Sequence, residues 1–459
     1  MKKNIIYIHT HDSGRMLSPY GYDVPTPNLK KFAEDATLFR QAYCVGPTCS
    51  PSRAGLLTGM YPHSNGMLGL AQRGFGLQDY SQHLVQFLKK QGYHSVLCGI
   101  QHEVGSYLNP EEGAKTIGYD ENISADNANY PEEELVKWDY LNAQRVSDWL
   151  TRADKEQPFF LSYGLFATHR KFPTGEKNGI DSKYVMPPYP IPDNEVTRED
   201  YAGYLKSSSW FDDSFKIVID TLKHEGLYED SIIIFTTDHG IAFPFSKCNL
   251  TDAGIGVSFI MRVPESNTKG EVVESLVSQV DLFPTICDLL NIKKPENLQG
   301  VSFAELFVDP KVEVREEVFA EVNFHTSYEP TRCIRTSQYK YIRYYDEEYL
   351  KVNMSNIDNS PTKSYYLENG LDQVVKYKEA FYDLVYDPGE RNNVADEPRY
   401  ADVLKEMRQK LVEYQKKTND PLLHGNIEVK EGWKVNKQEC INPSSKNPND
   451  YVKAREYSC

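Results

Sequence analysis

The segment Ser231-Ile-Ile-Ile-Phe-Thr-Thr237 runs directly into Asp238-His239-Gly240. Its unbroken series of β-branched and aromatic residues predicts a strand buried on both faces, as in the interior of a parallel sheet. Similar apolar runs cover residues 3–9, 93–100 and 159–166. Helix-type patterns separate these runs, and the longest covers residues 197–225. This alternation predicts an α/β fold in which a large, mixed but mostly parallel sheet is flanked by helices.

The long helix predicted over residues 197–225 has recognisable ends. Thr197, with the acidic Asp200 three residues later, is typical of a helix N-cap. Gly226 is typical of the residue that ends a helix, because glycine adopts the left-handed conformation without a steric penalty. The sequence therefore predicts a helix capped by Thr197 and stopped by Gly226.

After about residue 320 the pattern changes from alternating strands and helices to short strands. Residues 332–345 predict an antiparallel hairpin, residues 381–384 a further short strand, and residues 399–416 a helix. The sequence therefore predicts a large domain over residues 1–320, which carries the functional residues. A smaller C-terminal α+β subdomain over residues 321–459 is expected to be built on an antiparallel sheet and to complete the cleft.

Polar clusters follow four of the predicted strands at the points where the strands end. These clusters are His9-Thr10-His11-Asp12, His102-Glu103, Thr168-His169-Arg170 and Asp238-His239. Functional groups of open α/β sheets gather at the carboxyl ends of the strands. We therefore expect the four clusters to meet in one site.

The charge balance restricts the partners of the chain. It has 51 basic and 66 acidic residues, which gives a net charge of −15. Nucleic-acid binding needs a basic face, so we expect no nucleic-acid partner. No stretch approaches the roughly 20 apolar residues of a membrane span, so we expect no membrane partner either. Because the chain as a whole is negatively charged, an anionic substrate would have to be held by a local group of cationic side chains.

The N-terminal apolar run, residues 5–8, is shorter than the core of a secretory signal. The chain as given is therefore expected to be cytoplasmic, or periplasmic or secreted if a signal has been removed.

The eight cysteines are scattered, without metal-type pairing, and most are expected to be small buried apolar residues. Cys440 and Cys459 are the two that could pair, and the oligomeric state is left open.

One segment combines a nucleophile with an anion-binding element. It reads Cys49-Ser-Pro-Ser-Arg53-Ala-Gly-Leu-Leu-Thr-Gly59. Pro51 stands where a helix could begin, which places Cys49 just before a helix N-terminus, where free N–H groups favour an anion. Arg53 lies one turn further on and can donate to the same anion. The segment resembles the C-x-P-S-R…L-T-G signature of the formylglycine-dependent sulfatases, a family of the alkaline phosphatase superfamily.

The resemblance implies that Cys49 is oxidised to formylglycine. The oxidation would be done by a separate protein, a formylglycine-generating or an anaerobic sulfatase-maturating enzyme. The hydrated aldehyde carries two hydroxyl groups. One attacks sulfur and the other later expels sulfate, which is covalent catalysis with a built-in release step.

The resemblance also implies one divalent metal ion beside Cys49, with Cys49 itself as one of the ligands. Asp12, Asp238 and His239 stand at positions that match the family's ligands, and His11 stands where the family has a second aspartate. Oxygen ligands favour Ca²⁺, whereas imidazole nitrogens are better suited to Zn²⁺ or Mn²⁺. Calcium is the favoured expectation because the family uses it.

Three further residues match catalytic positions of the family. His169 matches the histidine that contacts the scissile group, and Lys247 matches the late Lys or Arg that binds sulfate. His102 matches the histidine of the family's G-K-x-H segment. The lysine of that segment is replaced by Ile100, which is the main departure from the family pattern.

Other segments resemble the sulfamidase branch of the family. They are Asn65-Gly66-Met67, residues 238–244 and residues 247–250. The branch implies a sulfated saccharide as substrate, with N-sulfoglucosamine of a glycosaminoglycan favoured. Alternatives remain open: an aryl or O-sulfatase, a phosphodiester or phosphonate monoester hydrolase of the same superfamily, and a glycan-binding protein without activity.

Overall fold

Two larger sheets and one short two-stranded sheet organise the chain in the computed structural model, which describes residues 3–105, 110–127, 130, 135–173 and 179–453. The strands are β1 Asn4–Thr10, β2 Thr37–Phe39, β3 Ala42–Tyr43, β4 His94–Gly99, β5 Glu121–Asn122, β6 Phe159–Gly164, β7 Ser231–Thr237, β8 Phe259–Arg262, β9 Val272–Val273, β10 Val277–Ser278, β11 Glu317–Phe324, β12 Tyr328–Thr336, β13 Tyr339–Tyr344 and β14 Glu379–Asp383. The α-helices are α1 Pro27–Ala33, α2 Cys49–Thr58, α3 Pro62–Asn65, α4 Leu84–Lys90, α5 Pro110–Ile117, α6 Leu135–Arg152, α7 Glu195–His224, α8 Asp252–Ile255, α9 Leu282–Leu289, α10 Pro361–Glu368 and α11 Ala401–Thr418.

The central sheet has eight strands in the order β5-β4-β6-β1-β7-β8-β2-β9. The five strands from β5 to β7 are all parallel, and β8 runs antiparallel to both of its neighbours. The prediction of a mixed, mostly parallel sheet is confirmed. The carboxyl ends of β4, β6, β1 and β7 consequently lie side by side at one edge of the sheet.

Strand β1 shows why these segments are apolar throughout. Its side chains alternate between the two faces of the sheet, and both faces are covered. Ile6 and Ile8 pack with residues of α1, α6 and α7. Ile5 and Tyr7 pack on the opposite face with residues of α2, α4 and α9. Each such side chain, once buried, stabilises the fold by about 1.5–3 kcal/mol, so a strand of this kind belongs in the interior.

The N-terminus of α7 differs from the prediction. The helix begins at Glu195, and its cap is Asn194, whose side chain accepts from the Thr197 backbone N–H at 3.1 Å. The Thr197 hydroxyl in turn accepts from the Asn194 N–H at 3.2 Å. Thr197 is therefore the third residue of a capping box and not the cap, because Asn194 offers an equally good acceptor one turn earlier. Gly226, with φ of 69°, follows the helix as predicted.

The second sheet is antiparallel throughout, in the order β11-β12-β13-β14. The predicted hairpin is β12 and β13, and the predicted short strand is β14, so the C-terminal antiparallel sheet is confirmed. One face packs against the central core through Val318, Ala320 and Cys333. The other is covered by Leu404, Met407 and other residues of α11. The division into domains at residue 320 stays a prediction, and it falls within β11.

The seven cysteines among the described residues are buried and unpaired with one another. Cys440 lies with its sulfur 3.3 Å from the Asn442 carbonyl oxygen. Its predicted partner Cys459 lies outside the described residues.

Among the helices that the structure describes, none is both long and apolar enough to cross a bilayer.

Candidate active site

The four polar clusters meet at the carboxyl edge of the central sheet, as expected. A close approach of two strand ends makes this possible. A Cβ on Gly164 would fall 1.9 Å from the Ile100 carbonyl oxygen, so only glycine lets the chain leaving β4 cross the end of β6. This crossing places His102 beside His11, with ring centroids 5.5 Å apart.

Asp12 and Asp238 form the centre of the site. Both are buried, and the Asp12 backbone N–H donates to Asp238 Oδ1 at 2.8 Å, which ties the end of β1 to the end of β7. Burial opposes ionisation of both carboxyls. The neighbouring Lys247 and His239 nevertheless hold the pKa of Asp12 well below its usual range. His239 and Arg53 do the same for the pKa of Asp238. Two carboxylates are therefore present in a dry environment.

His11 lies against this pair. Its ring is 1% exposed, its Nδ1 is 3.1 Å from Asp238 Oδ2, and neither ring nitrogen has a hydrogen-bond partner among the described residues. Buried polar atoms without a partner are rare in native proteins, and a bound ion or water is one common explanation. Donor atoms of His11, Asp12, Cys49 and Asp238 all lie within 4.8 Å of one another. The residues present thus fit a divalent cation.

His239 completes the group of possible ligands. Its Nδ1 lies 2.9 Å from the Gly240 carbonyl oxygen, which fixes the proton on that nitrogen. Its Nε2 lies 3.2 Å from Asp12 Oδ1 and 3.8 Å from Asp238 Oδ2. All five predicted metal ligands are therefore brought together.

Cys49 is the first residue of α2, so the helix begins two residues before the predicted Pro51. The preceding Thr48 is extended, and the helix N-terminus opens onto the carboxylate pair. Cys49 Sγ lies 3.3 Å from His239 Nε2 and 3.8 Å from Asp12 Oδ1. Burial raises the pKa of the Cys49 thiol well above its usual value. An unmodified thiol here is a weak nucleophile, since the thiolate is the reactive form.

Arg53 contacts the residues at the ends of β1 and β7. Its Nη2 donates to Asp238 Oδ2 at 2.9 Å and to the Thr10 carbonyl oxygen at 3.0 Å, and its Nη1 contacts His9 Nδ1. The guanidinium therefore fixes the position of the Asp238 carboxylate. Arg53 Nε is buried and has no hydrogen-bond partner among the described residues, so the contact with a bound anion stays a prediction.

Lys247 lies between two carboxylates. Its Nζ is 3.1 Å from Asp12 Oδ2 and 2.9 Å from Asp358 Oδ2. Burial opposes ionisation of Asp358, yet Lys247 lowers the pKa of Asp358 to about 2. Sequence reasoning missed Asp358, because it lies in the C-terminal part of the chain with no motif around it. His325, which burial keeps neutral with a pKa of about 3, was missed for the same reason.

The two predicted catalytic histidines, His102 and His169, both lie close to His11. The half-buried His169 has its ring centroid 5.3 Å from that of His11, and its Nδ1 is 2.5 Å from the Arg170 carbonyl oxygen. His102 Nε2 donates to Gln72 Oε1 at 2.8 Å. Burial holds the pKa of His102 well below its usual value, so its ring is neutral at pH 7.

Ile100 does not face the site. It is fully buried in an apolar cluster with Ala125, Leu135, Trp138 and Phe166. Gln101, which could have donated in place of the missing lysine, instead accepts from the backbone N–H groups of Glu103 and Val104 at 2.6 and 2.9 Å. Among the described residues, the Lys and Arg side chains that contact the central carboxylates are Lys247 and Arg53.

A buried carboxylate–imidazole group beside a cysteine at a helix N-terminus, at the carboxyl edge of a mostly parallel sheet, is typical of hydrolases that act on an anionic group. The family model described as "Sulfatase" matches residues 3–292, and the chain belongs to this family. The enzyme is a sulfuric ester hydrolase. The model described as "N-sulphoglucosamine sulphohydrolase, C-terminal" matches residues 238–377.

Relatives with known names span most of the chain. Human N-sulphoglucosamine sulphohydrolase is 26% identical over an alignment of 469 positions, gaps included, that covers 91% of each chain. An ulvan-active sulfatase of Formosa agariphila is 27% identical over 444 residues, covering 93% of this chain and 83% of the relative. A putative sulfatase from Bacteroides thetaiotaomicron has the same fold, with a TM-score of 0.70 at 20% identity over 96% of this chain and 99% of that one.

Proposed function

We propose that the enzyme releases sulfate from the N-sulfated glucosamine of a glycosaminoglycan, using a formylglycine formed from Cys49. The observation that supports this choice is the match to the C-terminal model over residues 238–377. That stretch supplies Asp238, Lys247 and Asp358, which surround the reaction centre. The human relative that carries this activity in its name resembles the chain over nearly its whole length.

In this proposal His11, Asp12, Asp238 and His239 hold one divalent ion together with the modified Cys49. Such an ion supplies a positive charge that polarises a sulfate oxygen. Arg53 keeps Asp238 ionised and oriented, since it donates to Asp238 Oδ2 at 2.9 Å. A separate maturation enzyme would install the formylglycine.

The remaining residues bind and move protons. Lys247 and the N-terminus of α2 meet the charge that develops on the sulfo oxygens. His169 has Nδ1 engaged with the Arg170 carbonyl, which leaves Nε2 to protonate the departing nitrogen. His102 is neutral at pH 7 and can accept the proton that is lost when sulfate is released.

The depth of the site favours a sugar at the end of a chain. Cys49, Lys247 and Asp238 are each less than 5% exposed. His169 is more exposed, and so is Asp358, whose side chain is 20% exposed. We infer that the terminal sugar enters on the side of these two residues, and that the C-terminal subdomain completes the cleft by contributing Asp358.

A second candidate is an O-sulfatase acting on a polysaccharide. The ulvan-active sulfatase of Formosa agariphila matches as much of the chain as the human relative does. A Delta 4,5-hexuronate-2-O-sulfatase of Bacteroides thetaiotaomicron is 24% identical over 91% of the chain. These relatives favour an O-sulfated substrate.

The test is the release of free sulfate from N-sulfated and O-sulfated saccharides of matched backbone. The enzyme is co-produced with a maturation enzyme, formylglycine at position 49 is confirmed by mass spectrometry, and Cys49→Ala is the control. Sulfate from N-sulfated glucosamine alone supports the proposal. Sulfate from the O-sulfated sugars alone replaces it with the second candidate. No sulfate from either, with the modification confirmed, contradicts both.

A further inference from the structure

Both ring nitrogens of His11 lack a hydrogen-bond partner among the described residues, although Nδ1 lies close to Asp238. His11 comes directly after β1, and its ring is 1% exposed. Its Nδ1 approaches Asp238 Oδ2 at 3.1 Å without hydrogen-bond geometry, and Nε2 has no hydrogen-bond partner among the described residues either. Two ligand atoms bound to one transition metal ion at about 2.1 Å lie roughly 3.0–3.4 Å apart. The separation of His11 and Asp238 is that of two ligands of one ion.

His239 has the arrangement of a metal-binding histidine. Its Nδ1–H donates to the Gly240 carbonyl oxygen at 2.9 Å, which leaves a lone pair on Nε2. That nitrogen lies 3.2 Å from Asp12 Oδ1. Metal-bound histidines in general donate the other ring N–H to a carbonyl or carboxylate, which sets the tautomer and the ring orientation.

An ion-pair explanation accounts less well for His11. Among the described residues, a protonated ring would have no acceptor for Nε2–H and only a poorly aligned one, Asp238 Oδ2, for Nδ1–H. Each unsatisfied donor costs about 1–3 kcal/mol. The carboxylates also have cations already, because Arg53 contacts Asp238, and Lys247 contacts Asp12 and Asp358. These three carboxylates and two cations leave one net negative charge, which a divalent ion reverses to match a monoanionic sulfo group.

We propose that His11 and His239 select a first-row transition metal ion, such as Mn²⁺ or Zn²⁺, in place of Ca²⁺. Calcium takes six to eight oxygen ligands, whereas imidazole nitrogen binds Zn²⁺, Mn²⁺ and their neighbours. The inference rests on the metal site of the proposed function. It departs from the calcium that the family resemblance implies, because two of the four protein ligands besides residue 49 are nitrogen donors.

The test measures which metal the protein retains. Matured enzyme is stripped with a chelator and dialysed against excess Ca²⁺ with small, equal amounts of Mn²⁺ and Zn²⁺, and bound metals are counted by mass spectrometry. The enzyme is expected to hold one transition metal ion per chain. Cobalt loading is expected to give visible absorption bands that change in His11→Asp. The same measurement on Cys49→Ala shows whether an unmodified thiol biases the choice toward zinc.

The double variant His11→Asp/His239→Asn restores oxygen donors. It is expected to retain Ca²⁺ and to lose transition-metal affinity by about 100-fold or more, and the single variant His239→Asn serves if the double variant does not fold. His325→Asn, a change of a buried histidine outside the ligand group, is expected to keep the wild-type metal. Calcium in the wild-type enzyme, or an unchanged preference in the His11 and His239 variants, would overturn the inference. Since metal content is read without substrate, failure of sulfate release would count against the proposed function and not against the metal.

Discussion

At the residue scale, Lys247 is positioned by two carboxylates that lie far apart in the sequence. Asp12 follows the first strand, and Asp358 belongs to the C-terminal part. Asp12 and Asp358 raise the pKa of Lys247 against the effect of burial, so the ammonium stays charged. A charged group held in this way needs little reorganisation when a sulfo group arrives, which is how fixed charges accelerate a reaction.

Replacing Lys247 by glutamine is expected to lower kcat/KM by about 10²–10³-fold, because one fixed charge toward the sulfo oxygens is lost. Steady-state sulfate release measures this. Lys216→Gln, at a position 54% exposed on α7, is the matched control and is expected to behave as wild type. An unaltered kcat/KM in the Lys247 variant would remove this residue from the proposed sulfate site.

Cys49→Ala is expected to lower turnover by at least about 10³-fold, since the residue proposed to become the nucleophile is removed. Alanine fits the first turn of α2, so the melting temperature and circular dichroism should stay close to those of the wild type. Substantial turnover in this variant would refute the formylglycine mechanism.

At the element scale, the position of α2 depends on a close contact with the chain before it. A Cβ on Gly55 would fall 2.2 Å from Val45 Cγ2, so the helix can lie where it does only with glycine at this point. Cys49 and Arg53 are carried by the same helix, and a displacement of α2 moves both.

Gly55→Ala is therefore expected to destabilise the fold by about 1–3 kcal/mol through overpacking and to lower activity as well. Urea denaturation and sulfate release measure the two effects. Gly76→Ala is the matched control, because its added Cβ would meet only the Tyr80 hydroxyl, at an ordinary 3.5 Å. Equal stability of the two variants would show that α2 can shift without cost.

Asp139 on α6 holds the segment that leads to His169. Its carboxyl accepts from the Phe166 and Ala167 N–H groups at 2.6 and 2.8 Å, and burial raises the pKa of Asp139 from 3.8 to about 7. Between these pH values the folded protein binds a proton that the unfolded chain lacks. The stability contributed by this group is therefore present below about pH 4 and is lost as pH rises to about 7.

Asp139→Asn is expected to flatten that pH dependence, because the amide does not titrate. Unfolding free energies at about pH 5 and about pH 7.5 should differ less in the variant than in the wild type. A wild-type slope that persists in the variant would assign the pH dependence to other groups.

At the scale of the whole molecule, one carboxylate joins the central region to the second sheet. Asp252 on α8 contacts Lys340 of β13 at 2.6 Å and Arg335 of β12 at 3.2 Å, and both cations are at most 5% exposed. Glu390, near the end of the second sheet, accepts from the Asp252 backbone N–H at 2.5 Å. The two sheets are thus connected by charge as well as by the shared apolar core.

Asp252→Ala is expected to destabilise the protein by about 3–5 kcal/mol, because among the described residues it leaves the buried Arg335 without a carboxylate partner and leaves Lys340 paired with Glu390 alone. Chemical denaturation followed by tryptophan fluorescence measures this. Asp193→Ala, which removes a partly exposed pair with Arg198, is the control and is expected to change stability by at most about 1 kcal/mol. Similar losses in the two variants would show that the connection contributes little.

Local signals in the sequence were enough to predict the sheet and its burial, and they also single out Cys49 as the proposed nucleophile. The apolar runs of β1 and β7 are visible without any contact information, because a strand buried on both faces has no polar positions. The segment from Cys49 to Gly59 is contiguous, so its signature needs no fold to be read. The N-terminus of α7 was predicted at the wrong residue. Asn194 and Thr197 are both good caps, and only the path of the chain selects Asn194.

The tertiary structure alone decided the partners within the site. Asp358 reaches Lys247 across 111 positions, and Arg53 turns to Asp238 across 185 positions, so neither contact has a local pattern. Ile100 stands in the lysine's position of the family segment, but the fold directs its side chain into an apolar cluster. The unsatisfied ring of His11 became visible only when β1, β7 and α2 were brought together. Sequence determines which side chains each strand end carries, whereas long-range packing determines which of them meet and which polar atoms are left without a partner.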